Sequence, residues 1–117
     1  MLAGRYRLKK QRDIEKVYRE GKYGRADFLI VKALTNNLSI TRATIVVSGK
    51  ISKKATIRNL IRRRVSGQLE EMWQTIKPSC DIVITIRDDM SKLGGADIKK
   101  QLLASLKACD AIRTTNA

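Results

Sequence analysis

The chain has no histidine, one proline, two cysteines and few aromatic residues among its 117 positions. Without histidine it lacks the usual general base, the usual activator of a serine or cysteine nucleophile and a common zinc ligand. Cys80 and Cys109 lie far apart and outside any CxxC spacing, so they read as reduced, partly buried thiols of a cytoplasmic protein. No apolar run approaches the roughly 20 residues of a membrane span, and the opening MLAGRYRLKKQR lacks the apolar core of a secretion signal. Acidic residues are missing locally: from Phe28 to Leu69 there is no Asp or Glu.

What the chain does have is positive charge, unevenly spread. Lys and Arg total 25 against 11 Asp and Glu, and residues 1–64 hold 18 of the bases but 4 of the acids, so that half carries the whole net +14. A neutral half joined to a strongly positive one suggests a scaffold and a binding face, with nucleic acid the first partner and an anionic membrane the second. The densest stretch is KISKKATIRNLIRRR, Lys50 to Arg64, fifteen residues with seven cations and no acid. A solvated basic helix face is the plain alternative. Order within the run favours a phosphate-binding surface, because Lys54, Arg58 and Arg62 recur every four residues and form one stripe on a helix.

At this length, with 43% hydrophobic residues, the chain reads as one domain spanning residues 1–117. The cations Arg5, Arg7, Lys9, Lys10 and Arg12 precede a short helix that places Ile14, Val17 and Tyr18 on one face, with Asp13 in its first turn and Gly21 as its stop. Residues 22–27 read as a polar connection. Two strands follow, Phe28 to Leu34 and Ala43 to Val47, expected to pair antiparallel around the turn cluster Asn36, Asn37 and Ser39. Residues 38–42 either add a short pairing or start the second strand early.

Ser52 is the expected cap of a long helix. Its apolar positions Ile57, Leu60, Ile61, Val65, Leu69, Met72 and Ile76 predict about five turns ending before Pro78. Gly67 within it costs about 1 kcal/mol against Ala, so packing must hold the helix, with Trp73 as an anchor. The run Cys80 to Arg87 predicts a central strand with Ile82, Ile84 and Ile86 on one face. After a loop at Asp88, Asp89, Gly94 and Gly95, Asp97 caps a final helix whose buried stripe is Ile98, Leu102, Leu103 and Leu106, and the tail from Ala111 is expected to be loose. This order is that of an α+β sandwich.

With these elements in place, the chain resembles the protein subunit of bacterial ribonuclease P, the ribonucleoprotein that removes the 5′ leader from precursor tRNA. The resemblance rests on RLKK at Arg7 to Lys10, DIEKVYREG at Asp13 to Gly21, FLIV at Phe28 to Val31, IVVSGKISKKA at Ile45 to Ala55, RNLIRRR at Arg58 to Arg64 and DIVITIR at Asp81 to Arg87, in the family's order. It implies a two-layer α+β sandwich whose four-stranded sheet has αβββαβα order, similar to domain 2 of a ribosomal S5 protein, and a left-handed crossover around the basic helix where a right-handed one is the general rule. It further implies that Lys50, Lys53, Lys54, Arg58, Asn59, Arg62 and Arg63 face the catalytic RNA. Arg7, Lys10, Ile14, Tyr18, Leu29 and Val31 would line a cleft for the single-stranded leader, with Lys9 also within reach of phosphates.

The family's second motif arginine is Leu60 here, and a later basic position of the same helix is Ser66, although Arg64 adds a charge nearby. One additional residue between Ser48 and Arg58 offsets Lys53 and Lys54 by up to one position. Tyr18 is the one aromatic among the matched cleft positions; it reads either as a base-stacking surface or as core filler beside Ile14 and Val17.

The implied chemistry is phosphodiester hydrolysis by metal-activated water, with Mg²⁺ held mainly by the RNA, no catalytic residue in this chain, and no obligate protein partner. Two other readings compete. One is a general RNA-binding or ribosomal protein; the other is a self-sufficient metal-dependent nuclease using Asp81, Asp88 and Asp89.

Overall fold

An almost uninterrupted apolar strand, Cys80–Ile86, forms the spine of the sheet and is buried on both faces apart from Thr85. It is seen in a computed structural model that describes residues 2–113. In chain order the elements are α1 (Gln11–Glu20), β1 (Lys22–Arg25), β2 (Leu29–Thr35), β3 (Arg42–Val46), α2 (Ala55–Glu71), β4 (Cys80–Ile86) and α3 (Gly95–Ala108), with short 3-10 turns at Gly4–Tyr6 and Trp73–Thr75. The four strands lie in the order β1-β2-β4-β3. β4 is antiparallel to β2 and parallel to β3, and α2 forms the crossover between the parallel pair.

Two expectations are corrected here. The Phe28 to Leu34 and Ala43 to Val47 runs both hold strands, but these are not partners, because β4 lies between them. Apolar periodicity reports which residues face a core and says nothing of which strand lies alongside; the doubly buried β4 takes the centre, where both its edges are paired. The polar stretch 22–27 contains β1, an edge strand pairing Lys22 to Ala33 and Arg25 to Ile30. Its residues alternate exposed and buried only once, at Gly24, too short a pattern to stand out. Gly24 is demanded by close packing, since a Cβ there would lie 2.0 Å from the Ser105 carbonyl oxygen of α3.

The main core lies between the sheet and the pair α2 and α3. It joins Leu29, Val31 and Ala33 of β2 and Ile82, Ile84 and Ile86 of β4 to Ile61, Val65 and Leu69 of α2 and Ile98, Leu102 and Leu106 of α3. Each fully buried aliphatic side chain contributes about 1.5–3 kcal/mol, enough to offset the helix-weakening Gly67. α2 starts two residues later than Ser52 suggests: its N-cap is Lys54, whose amide donates to Ser52 Oγ at 3.2 Å. Trp73 packs edge-on to Tyr6 at 5.8 Å.

A smaller cluster of Leu8, Val17 and Val83 sits on the opposite face, where α1 lies across the sheet. The expected loose tail is docked as far as it is described: Ala111 is buried, Ile112 bridges Ile76, and Arg113 bonds the carbonyls of Thr75 and Ile76. Residues 114–117 lie outside the described part.

Candidate nucleic-acid interface

Helix α2 begins inside the acid-free segment, and its first turns carry the cations outward. Lys50, Lys53, Lys54, Asn59, Arg63 and Arg64 are exposed, while Arg58 and Arg62 are half-buried along their stems. The half-buried pair is held by neutral oxygens. Arg58 Nη1 donates to the Ser52 carbonyl at 2.8 Å; Arg62 Nη1 donates to Asn59 Oδ1 at 2.8 Å and its Nη2 to the Val47 carbonyl at 3.3 Å. Arg64 donates to the Ser91 carbonyl. Among the described residues, none of the seven cations from Lys50 to Arg64 forms an ion pair. Carbonyl oxygens orient a guanidinium without neutralising it, so the surface keeps its positive field for a phosphate.

Leu60 is half-buried and Ser66 is buried. At this orientation of α2, position 66 turns away from the exposed surface that carries Arg63 and Arg64. Ser66 instead helps line a cleft of about 380 Å³ together with Leu2, Arg7, Leu8, Lys9, Ala43, Thr44, Ile45 and Arg62. The N-terminal segment reaches this place by running beside β3, with the Leu8 amide bonded to the Ala43 carbonyl at 2.9 Å. The cleft therefore joins Arg7 and Lys9 to Arg62, cations far apart in sequence.

The other candidate surface is the face of the sheet partly covered by α1. Strand register aligns Tyr23, Lys32, Val83 and Thr44 in one row and Arg25, Ile30, Thr85 and Val46 in the next. Val17 of α1 covers Val83, leaving Ile30, Thr85 and Val46 half-exposed. Tyr18 stands at the margin, 39% exposed, with its hydroxyl 3.4 Å from Thr85 Oγ1. That exposure argues against its being core filler. Lys32 Nζ donates to the Tyr18 carbonyl at 2.9 Å and lies 5.5 Å from the Tyr18 ring centroid. Ile14 packs against the small cluster under α1, and Lys10 is exposed at the α1 N-cap.

Leu29 and Val31 do not line this surface. Both are fully buried in the main core, on the side of α2 and α3. β2 alternates strictly, so the residues it turns toward α1 are Ile30, Lys32 and Leu34, one position out of phase with the expectation. Lys32 in the middle of an apolar run was the available signal, since its ammonium must face solvent and fixes the phase of its neighbours. Tyr23, Arg25 and Thr85 were missed because β1 and its register were not foreseen.

Of the carboxylates named for a nuclease, Asp81 is fully engaged, and Asp88 and Asp89 serve a turn. Asp81 accepts from Arg42 Nε and Nη2 at 2.9 and 2.7 Å and from Asn36 Nδ2 at 2.8 Å. Arg42 also lies 3.6 Å from Asp13 of α1, and its hydrogen bonds to the Asp81 carboxylate raise the Arg42 pKa. Asp88 Oδ1 accepts from the Asp89 amide, and Asp89 Oδ1 from the Ser91 amide; hydrogen bonding from Ser91 also lowers the Asp89 pKa. These are turn-forming bonds. Among the described residues, no group of three or more His, Cys, Asp or Glu is placed to hold a metal ion. Cys80 and Cys109 are buried thiols, and burial pushes Cys109 up to about 11.

A family model described as Ribonuclease P matches residues 2–110. The chain belongs to the ribonuclease P protein family. The ribonuclease P protein component of a Picosynechococcus species is 38% identical over 86 residues, covering 74% of each chain. Among solved structures, the ribonuclease P protein of Staphylococcus aureus superposes with a TM-score of 0.81 at 25% identity, covering 92% of this chain and 98% of that one. That of Thermotoga maritima gives 0.74 at 29% identity, covering 83% and 91%. The ribonuclease P protein fold is thus shared over nearly the whole described chain, including α1, the sheet face and α2. No helix among the described residues is long and apolar enough to cross a membrane.

Proposed function

We propose that this chain is the RNA-binding protein of a cytoplasmic ribonuclease P, positioning a catalytic RNA and the 5′ leader of precursor tRNA for endonucleolytic removal of the leader. The observation that carries the reading is the set of seven cations from Lys50 to Arg64, three of them (Arg58, Arg62 and Arg64) oriented by carbonyl oxygens and all seven paired to no acid among the described residues. Such a face gains free energy when phosphates replace the released counterions. In this reading Lys50, Lys53, Lys54, Arg58, Asn59, Arg62 and Arg63 meet the catalytic RNA, and Arg7, Lys9 and Lys10 reach phosphates beside the cleft. Tyr18 offers a flat face to a leader base of any identity, with Ile30 and Thr85 as the floor.

Mg²⁺ would supply hydrolysis through an activated water, and the donors present here do not fit a two-ion protein site. Asp81 is held by Arg42 and Asn36, Asp88 and Asp89 each accept one amide bond of their own turn, and no third carboxylate among the described residues joins them to hold an ion. In this reading the ions are held mainly by the RNA partner. The test is reconstitution: RNA-free protein leaves precursor tRNA intact, addition of the catalytic RNA starts 5′ processing, and the Asp88→Asn/Asp89→Asn double variant reconstitutes nearly as well. Metal-dependent cutting by RNA-free protein that the double variant abolishes would overturn the assignment in favour of a protein nuclease.

A further inference from the structure

Tyr23 is more exposed than Tyr18, 57% against 39%, and both exposed rings belong to the same side of the sheet. The backbone establishes this. Gly24 points into α3, where a Cβ would meet the Ser105 carbonyl, so its strand neighbours Tyr23 and Arg25 point the opposite way, toward the α1 face. Tyr23 is the register partner of Lys32, and Arg25 that of Ile30. Directly opposite residues on neighbouring strands have Cβ atoms about 5 Å apart, so Tyr23 stands beside Lys32.

Lys32 is itself fixed, by its bond to the Tyr18 carbonyl and its place over the Tyr18 ring. Neither Lys32 nor Arg25 forms an ion pair among the described residues. A solitary exposed tyrosine needs no explanation. A tyrosine beside an immobilised, acid-free lysine, on the same face as a second exposed tyrosine, matches what a single strand of RNA requires, which is flat apolar surfaces alternating with cations.

We propose that Tyr23 is a second base-stacking platform for single-stranded RNA, with Lys32 and Arg25 taking the adjoining phosphates, so that the cleft continues from α1 across β2 to β1. The proposal rests on the leader-binding reading and adds its direction: the strand crosses the sheet toward its β1 edge. It also explains how a cleft with one aromatic on α1 holds a leader of several nucleotides. The second ring is supplied by the edge strand.

The experiment uses holoenzyme reconstituted with catalytic RNA and carrying Tyr23→Ala, Tyr23→Phe or Tyr18→Ala, titrated with mature tRNA and with precursor tRNAs that differ only in leader length. Tyr23→Ala is expected to weaken binding about fivefold for long leaders, the low end for a lost base-aromatic contact at an open site. It should leave short leaders and mature tRNA unchanged, and Tyr23→Phe should bind like the parent. A loss in Tyr23→Ala that is equal for mature and precursor tRNA overturns the proposal. So does a normal leader-length profile in Tyr23→Ala while Tyr18→Ala loses the precursor preference, and in that case the α1 cleft stands. If neither variant alters the preference for precursor, the leader-binding reading fails and this inference with it. Melting temperatures of the free variants, expected to stay close to the parent because the ring is exposed, establish that folded protein is compared throughout.

Discussion

Replacing Arg42 by Met would leave Asp81, 7% exposed at the start of the central strand, with a carboxylate and too few donors. In the intact protein that carboxylate receives two bonds from Arg42 and one from Asn36, and Arg42 reaches on to Asp13, so the network ties α1 to β3 and β4. Breaking a buried pair by removing one partner costs about 3–5 kcal/mol, because the remaining charge stays desolvated. The Asn36 bond survives and Arg42 is itself partly exposed, which places the expected loss near the lower end, about 3 kcal/mol. A domain of this size is stable by about 5–15 kcal/mol and loses roughly 4 °C per kcal/mol, so the melting temperature should fall by about 12 °C. Urea unfolding should show the same loss as a lower midpoint at unchanged slope. Arg42→Met/Asp81→Leu should recover most of it, since it removes the stranded charge as well. A single variant within about 1 kcal/mol of the parent, or a double variant no better than the single, would refute the account.

Two further outcomes follow from the interface and from the glycines. Arg58→Ala and Arg62→Ala should each weaken assembly with catalytic RNA by about 1–3 kcal/mol and flatten the log-log salt dependence, which for about five neutralised phosphates has a slope of roughly −3 to −5 in the parent. Lys99→Ala and Lys100→Ala, on the electrically neutral half, are the controls, and equal losses at both pairs would mean that total charge matters and the α2 face does not. Gly67→Ala should stabilise by about 1 kcal/mol, because nothing lies within 4 Å of its added Cβ and the helix gains propensity. Gly24→Ala should destabilise by more than that, since its Cβ would meet the Ser105 carbonyl oxygen of α3 at 2.0 Å and the Cys109 amide nitrogen at 2.9 Å. Chemical denaturation of the two variants decides both signs.

Much of the architecture was legible because it depends on one-dimensional patterns. The three-and-four spacing of Ile61, Val65 and Leu69 and the alternation of Ile82, Ile84 and Ile86 each identify an element and its buried face, and the structure buries those faces. What escaped depends on partners distant in sequence. β1 shows no pattern of its own, and becomes a strand because β2 offers an open edge and α3 needs a glycine to approach. The phase of β2 was misjudged for the cleft, since Phe28 to Leu34 is nearly all apolar and both phases look buried; pairing with β4 decides it. The cations of α2 were readable as a stripe, but their lack of acidic partners among the described residues, on which the proposed function rests, is a property of the folded surface.

The two surfaces gain meaning from where β3 lies. As the strand at one end of the sheet it would expose unpaired backbone groups, and the N-terminal segment meets part of that edge through the bond between Leu8 and Ala43. Arg62 meets another part by donating to the Val47 carbonyl just past the strand's end. The same two devices that protect the edge carry Arg7, Lys9 and Arg62 into one cleft, and Thr44 and Val46 of β3 turn toward the face covered by α1. The α2 face proposed for the catalytic RNA and the α1 face proposed for the leader are therefore adjacent across a single strand, with cations at the junction. An RNA bound on α2 and a single strand under α1 would share that positive field, so loss of Arg62 should be felt on both faces, whereas loss of Tyr18 or Tyr23 should be felt by the leader alone.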